Sequence, residues 1–429
     1  MKRFIITALF LILVILAFPY KSRAQDVIKK GETLNIERCI EIALIKNQGI
    51  AAATHTLNVN ENRVGQAKAN YYPQVNLSAG YKRLSSGGTA PKTSANSIDE
   101  YASSITLNQN IYDFGKTPAQ VNIQELNLES SQSDLENVSE QVILNVKKAY
   151  YSILQAKRNR DVAIETVKQF QQHLEQAKGF FEVGTKPKFD VTKAEVDLSN
   201  AKLSLIKAEN ALRIAVANLN NAMGITDAPD YNIDDNLSFE RYEMTFEDAL
   251  TKAYKNRADI KSISTKTLAA ENSVELSKKG FYPALTGNAA YNWSGESFPL
   301  DDSWNIGATL SFPLFSGYLT TYQVAESRAN LDILKANQEL LRQNVFLEVK
   351  QAYLNLKEAE ERIPAAELTV KQAKENLDIT KGRYDAGVGN PIEVTDAETV
   401  LTNAETANIQ ALYDYKISRA SLEKAMGKR

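Results

Sequence analysis

Residue types that carry out catalysis are sparse in this 429-residue chain. It has one cysteine, Cys39, and two histidines, His55 and His173, which lie far apart and show no metal-ligand spacing. The segment Phe114-Gly115-Lys116-Thr117 is similar to the end of a phosphate-binding loop, but the residue five positions before its glycine is Asn110, where that loop requires a second glycine. We therefore predict that the chain is not an enzyme and uses no cofactor or metal.

Charged residues gather instead at two corresponding turns, residues 181–187 and 384–391. The groups concerned are Lys186, Lys188 and Asp190 at the first turn, and Glu393 and Asp396 after the second. Carboxylates held close together favour cations and repel one another unless neighbouring groups offset them. The alternative is that all these side chains are ordinary solvated turn residues. The copies differ in charge here, with Lys186-Pro187-Lys188 set against Gly389-Asn390-Pro391.

Most of the chain is a duplication. Tyr72-Pro73 returns as Tyr282-Pro283, 210 residues later, and from the hairpin onward we place the offset at 203, as in Ala222-Met223-Gly224 and Ala425-Met426-Gly427. A repeat of this length is far longer than a solenoid unit of about 20 to 50 residues. The chain is therefore a duplicated half-domain.

Each copy has the pattern of a helix, a β-hairpin, a very long helix, a tight turn and a final helix. The two shorter helices, placed end to end, match the long one, so the hairpin lies at one end of the copy and the turn at the other. The predicted bounds are residues 25–224 for the first repeat (helix 36–70, hairpin 72–112, long helix 116–180, helix 189–223), 225–244 for a linker at mid-length, and 245–429 for the second repeat (helix 246–280, hairpin 282–314, long helix 318–383, helix 392–426).

Apolar and polar residues alternate in the predicted strands, which are about 10 residues long, the length that crosses an outer membrane when tilted. Aromatic residues lie near the strand ends, as in an interfacial girdle. The alternative is an ordinary surface hairpin on a helical core. Residues 84–100 are predicted to be a loop, and the polar face carries Asn76, Asn108, Asn288 and Asn305. Four strands are too few to close a barrel, whereas three copies supply twelve.

The long helices carry a seven-residue repeat, which indicates coiled-coil packing. Pro364 is expected to kink the second of them. The repeat in the first copy runs Val121, Leu128, Leu135, Val142, Ala149, Ala156, Ala163, Phe170 and Ala177.

The N-terminus has the features of a secretory signal. Lys2 and Arg3 precede the apolar run 4–18, and Ala24 ends a short polar stretch, so we expect residues 1–24 to be cleaved. Cys39 lies too far from that site to be lipidated and is expected to be a small core residue. Without residues 1–24 the chain has 46 basic and 52 acidic residues, a balance that gives no support to nucleic-acid binding.

The layout resembles the TolC family of outer-membrane efflux proteins over essentially the whole mature chain. The features that carry the likeness are the duplication, the Tyr-Pro before each first strand, Asn110-Ile111-Tyr112-Asp113-Phe114-Gly115 and Pro313-Leu314-Phe315-Ser316-Gly317, and Tyr384-x-x-Gly387 with Glu393-Val394-x-Asp396-Ala397. The resemblance implies a mainly α-helical homotrimer in the outer membrane, with a 12-strand β-barrel that continues into a 12-helix periplasmic tunnel. It also implies docking to a periplasmic adaptor and an inner-membrane transporter, for passive export in tripartite efflux or type I secretion.

The same resemblance implies a gate at the periplasmic tip. Tyr384 matches the family's gate tyrosine, Asp190 the aspartate bonded to it, and Glu393 and Asp396 the paired acidic ring positions. Gly389 stands where well-known members have a gate arginine, so that bond cannot form. We expect Lys186 or Lys188 to replace it.

The alternative interpretation is that the chain is a structural coiled-coil protein of the periplasmic envelope, without a pore. It would keep the heptads but has no use for four alternating strands with aromatic ends.

Overall fold

A computed structural model describes residues 28–85, 97–226 and 228–428, so the expected signal peptide lies outside the described residues. The helices are α1 (Ile36–Lys46), α2 (Gln48–Lys68), α3 (Lys116–Glu182), α4 (Lys188–Met223), α5 (Phe246–Asn256), α6 (Ala258–Lys278), α7 (Leu319–Asp385) and α8 (Pro391–Ala425). The strands are β1 (Thr33–Leu34), β2 (Gln74–Ser85), β3 (Ser97–Tyr112), β4 (Asn232–Ile233), β5 (Ala284–Gly295) and β6 (Asp301–Ser311). Among the described residues, none of these helices is both long and apolar enough to cross a bilayer.

The two copies correspond element by element, but the offset between them changes from 210 to 203 later in the chain than expected. α1 and α5, α2 and α6, and β2 and β5 are all offset by 210 residues, whereas α3 and α7 are offset by 203. The seven additional residues of the first copy therefore fall after β2, in the hairpin connection. The expected change at the start of the hairpin was wrong by one strand.

The first helix of each copy is broken, although one continuous helix was expected at 36–70 and at 246–280. Asn47 and Arg257 take extended backbone conformations at the breaks. Asn47 Nδ2 donates to the carbonyl of Ala222 at 3.1 Å, and Arg257 Nη1 donates to the carbonyl of Ala425 at 3.2 Å. The break lets each side chain satisfy a carbonyl in the last turn of a helix, where no intrahelical donor remains.

Each of these final helices ends at a glycine, as expected of Met-Gly. Gly224 has φ +76, and a Cβ built there would lie 2.7 Å from the carbonyl oxygen of Lys46. The left-handed conformation and the close approach of the chain at the break both require glycine.

We expect Gly224→Ala to lower the free energy of unfolding by about 2 kcal/mol more than Gly31→Ala. Gly31 has nearly the same φ, +77, but a Cβ added at Gly31 would have no neighbouring atom within 4 Å. The control therefore shares the backbone strain and lacks the clash. Thermal unfolding followed by the helical circular dichroism of the detergent-extracted protein measures the difference; equal losses would contradict the packing argument.

The main sheet is antiparallel, in the order β2-β3-β5-β6. β2 and β3 are longer than expected, since their register runs to Ser85 and Ser97, inside the predicted loop 84–100. In this stretch Tyr81 Oη donates to Asp99 and Arg83 pairs with Asp99. Large apolar side chains are exposed on one face: Val75, Leu77, Tyr81, Ile105, Leu107, Tyr291, Trp304, Ile306 and Leu310. The register aligns Asn108 with Asn288, and Asn305 with Ala290, on the opposite face. An exposed apolar face of this size indicates contact with lipid or protein.

The linker is anchored to the core rather than being a simple polar connection. β4 pairs in parallel with β1, a two-stranded sheet that the sequence did not indicate. Tyr150 Oη donates to the carbonyl of Asp234 at 2.7 Å, and Leu237 is buried. Cys39, fully buried beside this sheet, is confirmed as a core residue, and burial raises the pKa of its thiol to about 12.

The long helices α3 and α7 have 67 residues each, about 100 Å. Every member of the first heptad column is buried or half-buried, which fits coiled-coil packing. α7 continues through Pro364 without ending there. Near the sheet the helices lie in the order α2-α3-α6-α7, and near the turns in the order α4-α3-α8-α7, so α7 lies at one edge of the protomer along its whole length.

Candidate gate at the helical tip

The two turns lie at the same end of the molecule, where α3 meets α4 and α7 meets α8. Tyr384, in the last turn of α7, is 1% exposed, and its ring is enclosed by three side chains. The ring centroids of His173 and Phe180 lie 5.3 and 5.6 Å away, and Lys186 Nζ is 5.4 Å from the centroid. Tyr384 therefore joins α7 to α3 and to the first turn through its ring.

The hydroxyl of Tyr384 does not make the bond that the resemblance implied. Its oxygen is buried without a hydrogen-bond partner among the described residues, although Asp190 is also buried. Burial raises the pKa of Tyr384, and the charges of Asp190 and Asp385 raise it further. The expectation of an Asp190–Tyr384 hydrogen bond was therefore wrong. The two residues lie in the same region, but their side chains are not in hydrogen-bonding geometry.

The absence of an arginine at position 389 has a steric explanation. A Cβ at Gly389 would lie 2.7 Å from the backbone nitrogen of Tyr384, and the Gly389 N–H donates to the carbonyl of Arg383 at 2.9 Å. The turn folds directly onto the end of α7, so this backbone excludes any side chain. Lys186 is the cation that lies against Tyr384, whereas Lys188 is exposed at the first position of α4.

The acidic pair after the second turn is exposed. Arg383 Nε lies 3.7 Å from a carboxylate oxygen of Glu393, and both side chains are about half exposed. Asp396, one turn further along α8, is also exposed. Arg383 thus partly offsets this charge from within the protomer, a partner that the sequence reading missed.

A buried charged layer lies next to Tyr384. Glu398 of α8 is fully buried, and neither carboxylate oxygen accepts a hydrogen bond from the described residues. Lys381 Nζ lies 3.1 Å from its Oε1, as an ion pair without hydrogen-bond alignment. Burial raises the pKa of Glu398, while Lys381 opposes that shift. The sequence contained a signal for this residue, because Glu398 interrupts the apolar stripe between Val394 and Leu401.

The opposite side of this layer comes from α4. Lys193 Nζ donates to Asp197 at 2.7 Å, and Asp197 accepts a 3.3 Å hydrogen bond from Thr395 of α8. His173 of α3 is 5% exposed and lies between these groups.

The two helical hairpins of the tip have separate apolar cores. One is built from Phe170, Leu174, Ala177, Ala194, Leu198 and Ala201, the other from Ala373, Leu377, Ala397, Leu401 and Ala404. Apart from the Tyr384 ring, which packs on His173 and Phe180, the seam between them is polar: Thr166 and Thr402 share a 3.1 Å hydrogen bond, and Gln176 donates to Asp385. A cavity of about 440 Å³ lies in this seam, with Asp197, Thr395 and Thr402 in its wall. The hairpins can therefore separate without exposing an apolar core.

Comparison with known proteins assigns this architecture. The model of the family "Outer membrane efflux protein" matches residues 39–225 and 249–428, both copies of the repeat. The chain belongs to the outer membrane efflux protein family. Family membership makes it an outer-membrane exit duct for efflux or secretion, extending into the periplasm, and not an enzyme.

Individual relatives agree with this family. The outer membrane protein TolC of Vibrio cholerae serotype O1 is 25% identical over 378 residues, which cover 85% of this chain and 84% of TolC. The crystal structure of CusC superposes with a TM-score of 0.81 at 18% identity, covering 96% of this chain and all of CusC. The Campylobacter jejuni CmeC outer membrane channel gives a TM-score of 0.80 at 19% identity, covering 91% of this chain and 85% of CmeC. The efflux-protein fold is thus confirmed, and the pore-free envelope protein is not supported.

Proposed function

We propose that three copies of this efflux protein close head to tail into a single duct with a gate at its periplasmic tip. The observation that carries the proposal is the pair of open sheet edges. β2 and β6 are the outer strands of the sheet, and neither pairs on its outer side with any described residue. Because β2 and β6 run in opposite directions, β6 of one copy can pair with β2 of the next in the same antiparallel sense, giving twelve strands.

The helices support the same closure. Apolar residues at multiples of seven are exposed on α7: Leu340, Leu347, Leu354 and Leu368. A second exposed stripe lies on α4, at Phe189, Val196 and Leu203. Since α7 is one edge of the protomer along its whole length, and the opposite edge is α4 near the turns and α2 near the sheet, head-to-tail closure covers both stripes as in a coiled coil. Four helical columns per copy then give a tunnel of twelve.

The gate of this duct is the Tyr384 contact with the first turn. Asp190, Lys186 and Lys188 belong to the half of the tip that Tyr384 closes against, with Lys186 in the arginine's place. Glu393 and Asp396 form the acidic ring below it, which Arg383 partly offsets. The polar seam between the hairpins supports opening by separation of α7–α8 from α3–α4.

The tip also carries exposed apolar side chains. Val183 and Val388 are 72% and 73% exposed, one in each turn. We propose that this end docks to a periplasmic adaptor and, through it, to an inner-membrane transporter, because apolar groups so exposed in water favour a protein partner. The apolar face of the sheet contacts outer-membrane lipid.

Conductance of purified trimers in planar bilayers tests the duct. We expect Asp396→Ala to lower the preference for cations over anions, because it removes three carboxylates from the axis. Asp230→Ala is the matched control, since Asp230 is an exposed aspartate of the linker, far from the tip. Unchanged selectivity in Asp396→Ala would refute the ring, and a protein that never conducts would refute the duct.

A further inference from the structure

His173 is the buried neighbour of Tyr384, but its ionisation has no part in the gate described so far. It is 5% exposed on α3, and its ring centroid lies 5.3 Å from that of Tyr384. The stripe of Phe170, Leu174 and Ala177 on the same helix packs against α4, so the position of the imidazole is set by a well-packed element. The contact with Tyr384 crosses the seam between the two hairpins.

The charged groups around His173 come from the other three helices of the tip, and Lys186 of the first turn lies against the ring of Tyr384. α4 contributes Asp190 and the Lys193–Asp197 pair, and α7 contributes Lys381. α8 contributes Glu398, the partner of Lys381. With a neutral imidazole, each lysine of this layer is matched by a carboxylate. Asp190 is a third carboxylate, without an ion-pair partner among the described residues, and it favours a proton on His173. Burial of the imidazole opposes that proton and is the larger effect.

We propose that His173 is a positioning residue of the gate, which holds Tyr384 in the closed tip only while its imidazole is neutral, so that mild acid opens the duct. The inference rests on the proposed gate. An imidazolium gains hydration when the polar seam separates, whereas the neutral ring packs against Tyr384 and the apolar stripe.

The sign of the pH effect follows from the surroundings. Burial lowers the pKa of His173 in the closed tip, and Lys381 and Lys193 lower it further against the opposing effect of Asp197 and Asp190. In an open, hydrated tip the pKa returns toward its ordinary value of about 6.5. The open state therefore binds more protons, and acid favours it as the pH falls below about 6.5. Between pH 7.5 and 5.5 the ratio of open to closed can rise by up to about tenfold per protomer.

Glu398 acts in the opposite direction. Its pKa is raised in the closed tip, so the closed state binds the additional proton and acid favours closure through this group. Acid opening is therefore specific to His173, and Glu398→Gln should keep it.

Single-channel recording of the full-length trimer at pH 7.5 and 5.5 tests the proposal. We expect a severalfold rise in the wild-type open-to-closed ratio, lost in His173→Gln and in His173→Phe. His55→Gln is the control, because His55 is the other histidine of the chain and is exposed. Its response should equal that of wild type.

Three results would overturn the proposal: a wild-type ratio that does not change with pH, an acid response that persists in both His173 variants, or one that His55→Gln abolishes. Heat-modifiable migration confirms that each variant forms trimers. Wild-type trimers that conduct but ignore pH refute only the role of His173, whereas trimers that never conduct refute the duct itself.

Discussion

Tyr384→Ala is expected to raise the open-to-closed ratio of the channel by at least tenfold. The substitution removes the ring contacts with His173 and Phe180 and the stacked Lys186 ammonium. Aromatic contacts contribute about 0.5–1.5 kcal/mol each, and an ammonium over a ring about 0.5–1 kcal/mol. Their loss exceeds about 1.4 kcal/mol per protomer, the free energy of a tenfold change in an equilibrium. Open probability in planar bilayers measures it.

Tyr384→Phe is the matched control for this prediction. The hydroxyl has no hydrogen-bond partner among the described side chains, so phenylalanine keeps every contact that closes the tip. We expect Tyr384→Phe to gate like wild type. Opening as large as that of the alanine variant would show that the hydroxyl, and not the ring, holds the gate.

The sequence was sufficient for the parts of the fold that are periodic. The heptad column of α3, the alternation in β2, β3, β5 and β6, and the glycines at 224 and 427 each reflect a local backbone or packing requirement that is visible in the sequence. The breaks at Asn47 and Arg257 were missed because they depend on carbonyls about 170 residues away, in α4 and α8. Contacts of that kind leave no local pattern.

The gate also has parts that could be predicted from the sequence and parts that could not. The family resemblance placed Tyr384 and Asp190 in one region of the tip, whereas the hydrogen bond that it implied between them was not found. The sequence showed only that glycine replaces the family's arginine at position 389. The structure gives the reason, because a Cβ at this position would lie 2.7 Å from the backbone nitrogen of Tyr384. Arg383 as the partner of Glu393 could not be chosen from sequence, because helix orientation at a turn decides which side chains meet.

The polar seam within a protomer and the apolar edges between protomers serve two different needs of a gated duct. A duct must keep its wall closed while its tip opens. Apolar stripes on α4 and α7 suit permanent contact between copies, because separating them would expose apolar surface. The seam between the hairpins contains hydroxyls, amides and paired charges, which water can replace.

This reasoning predicts that Leu354→Glu abolishes the trimer. Leu354 is 52% exposed on the α7 edge, within the heptad stripe that closure covers. Burying an unpaired carboxylate costs several kcal/mol per interface. A closed trimer has three such interfaces, so the cost is incurred three times. We expect the heat-modifiable trimer band of membrane extracts to be lost.

Leu268→Glu provides the comparison, since Leu268 is 47% exposed on α6, between α3 and α7 and away from the protomer edge. The same change in size and charge there should leave the trimer intact, because head-to-tail closure does not cover α6. If both variants assemble, α7 is not the contact edge. If both fail, the carboxylate destabilises the protomer itself. Only the loss of assembly in Leu354→Glu alone supports closure through the apolar edge of α7.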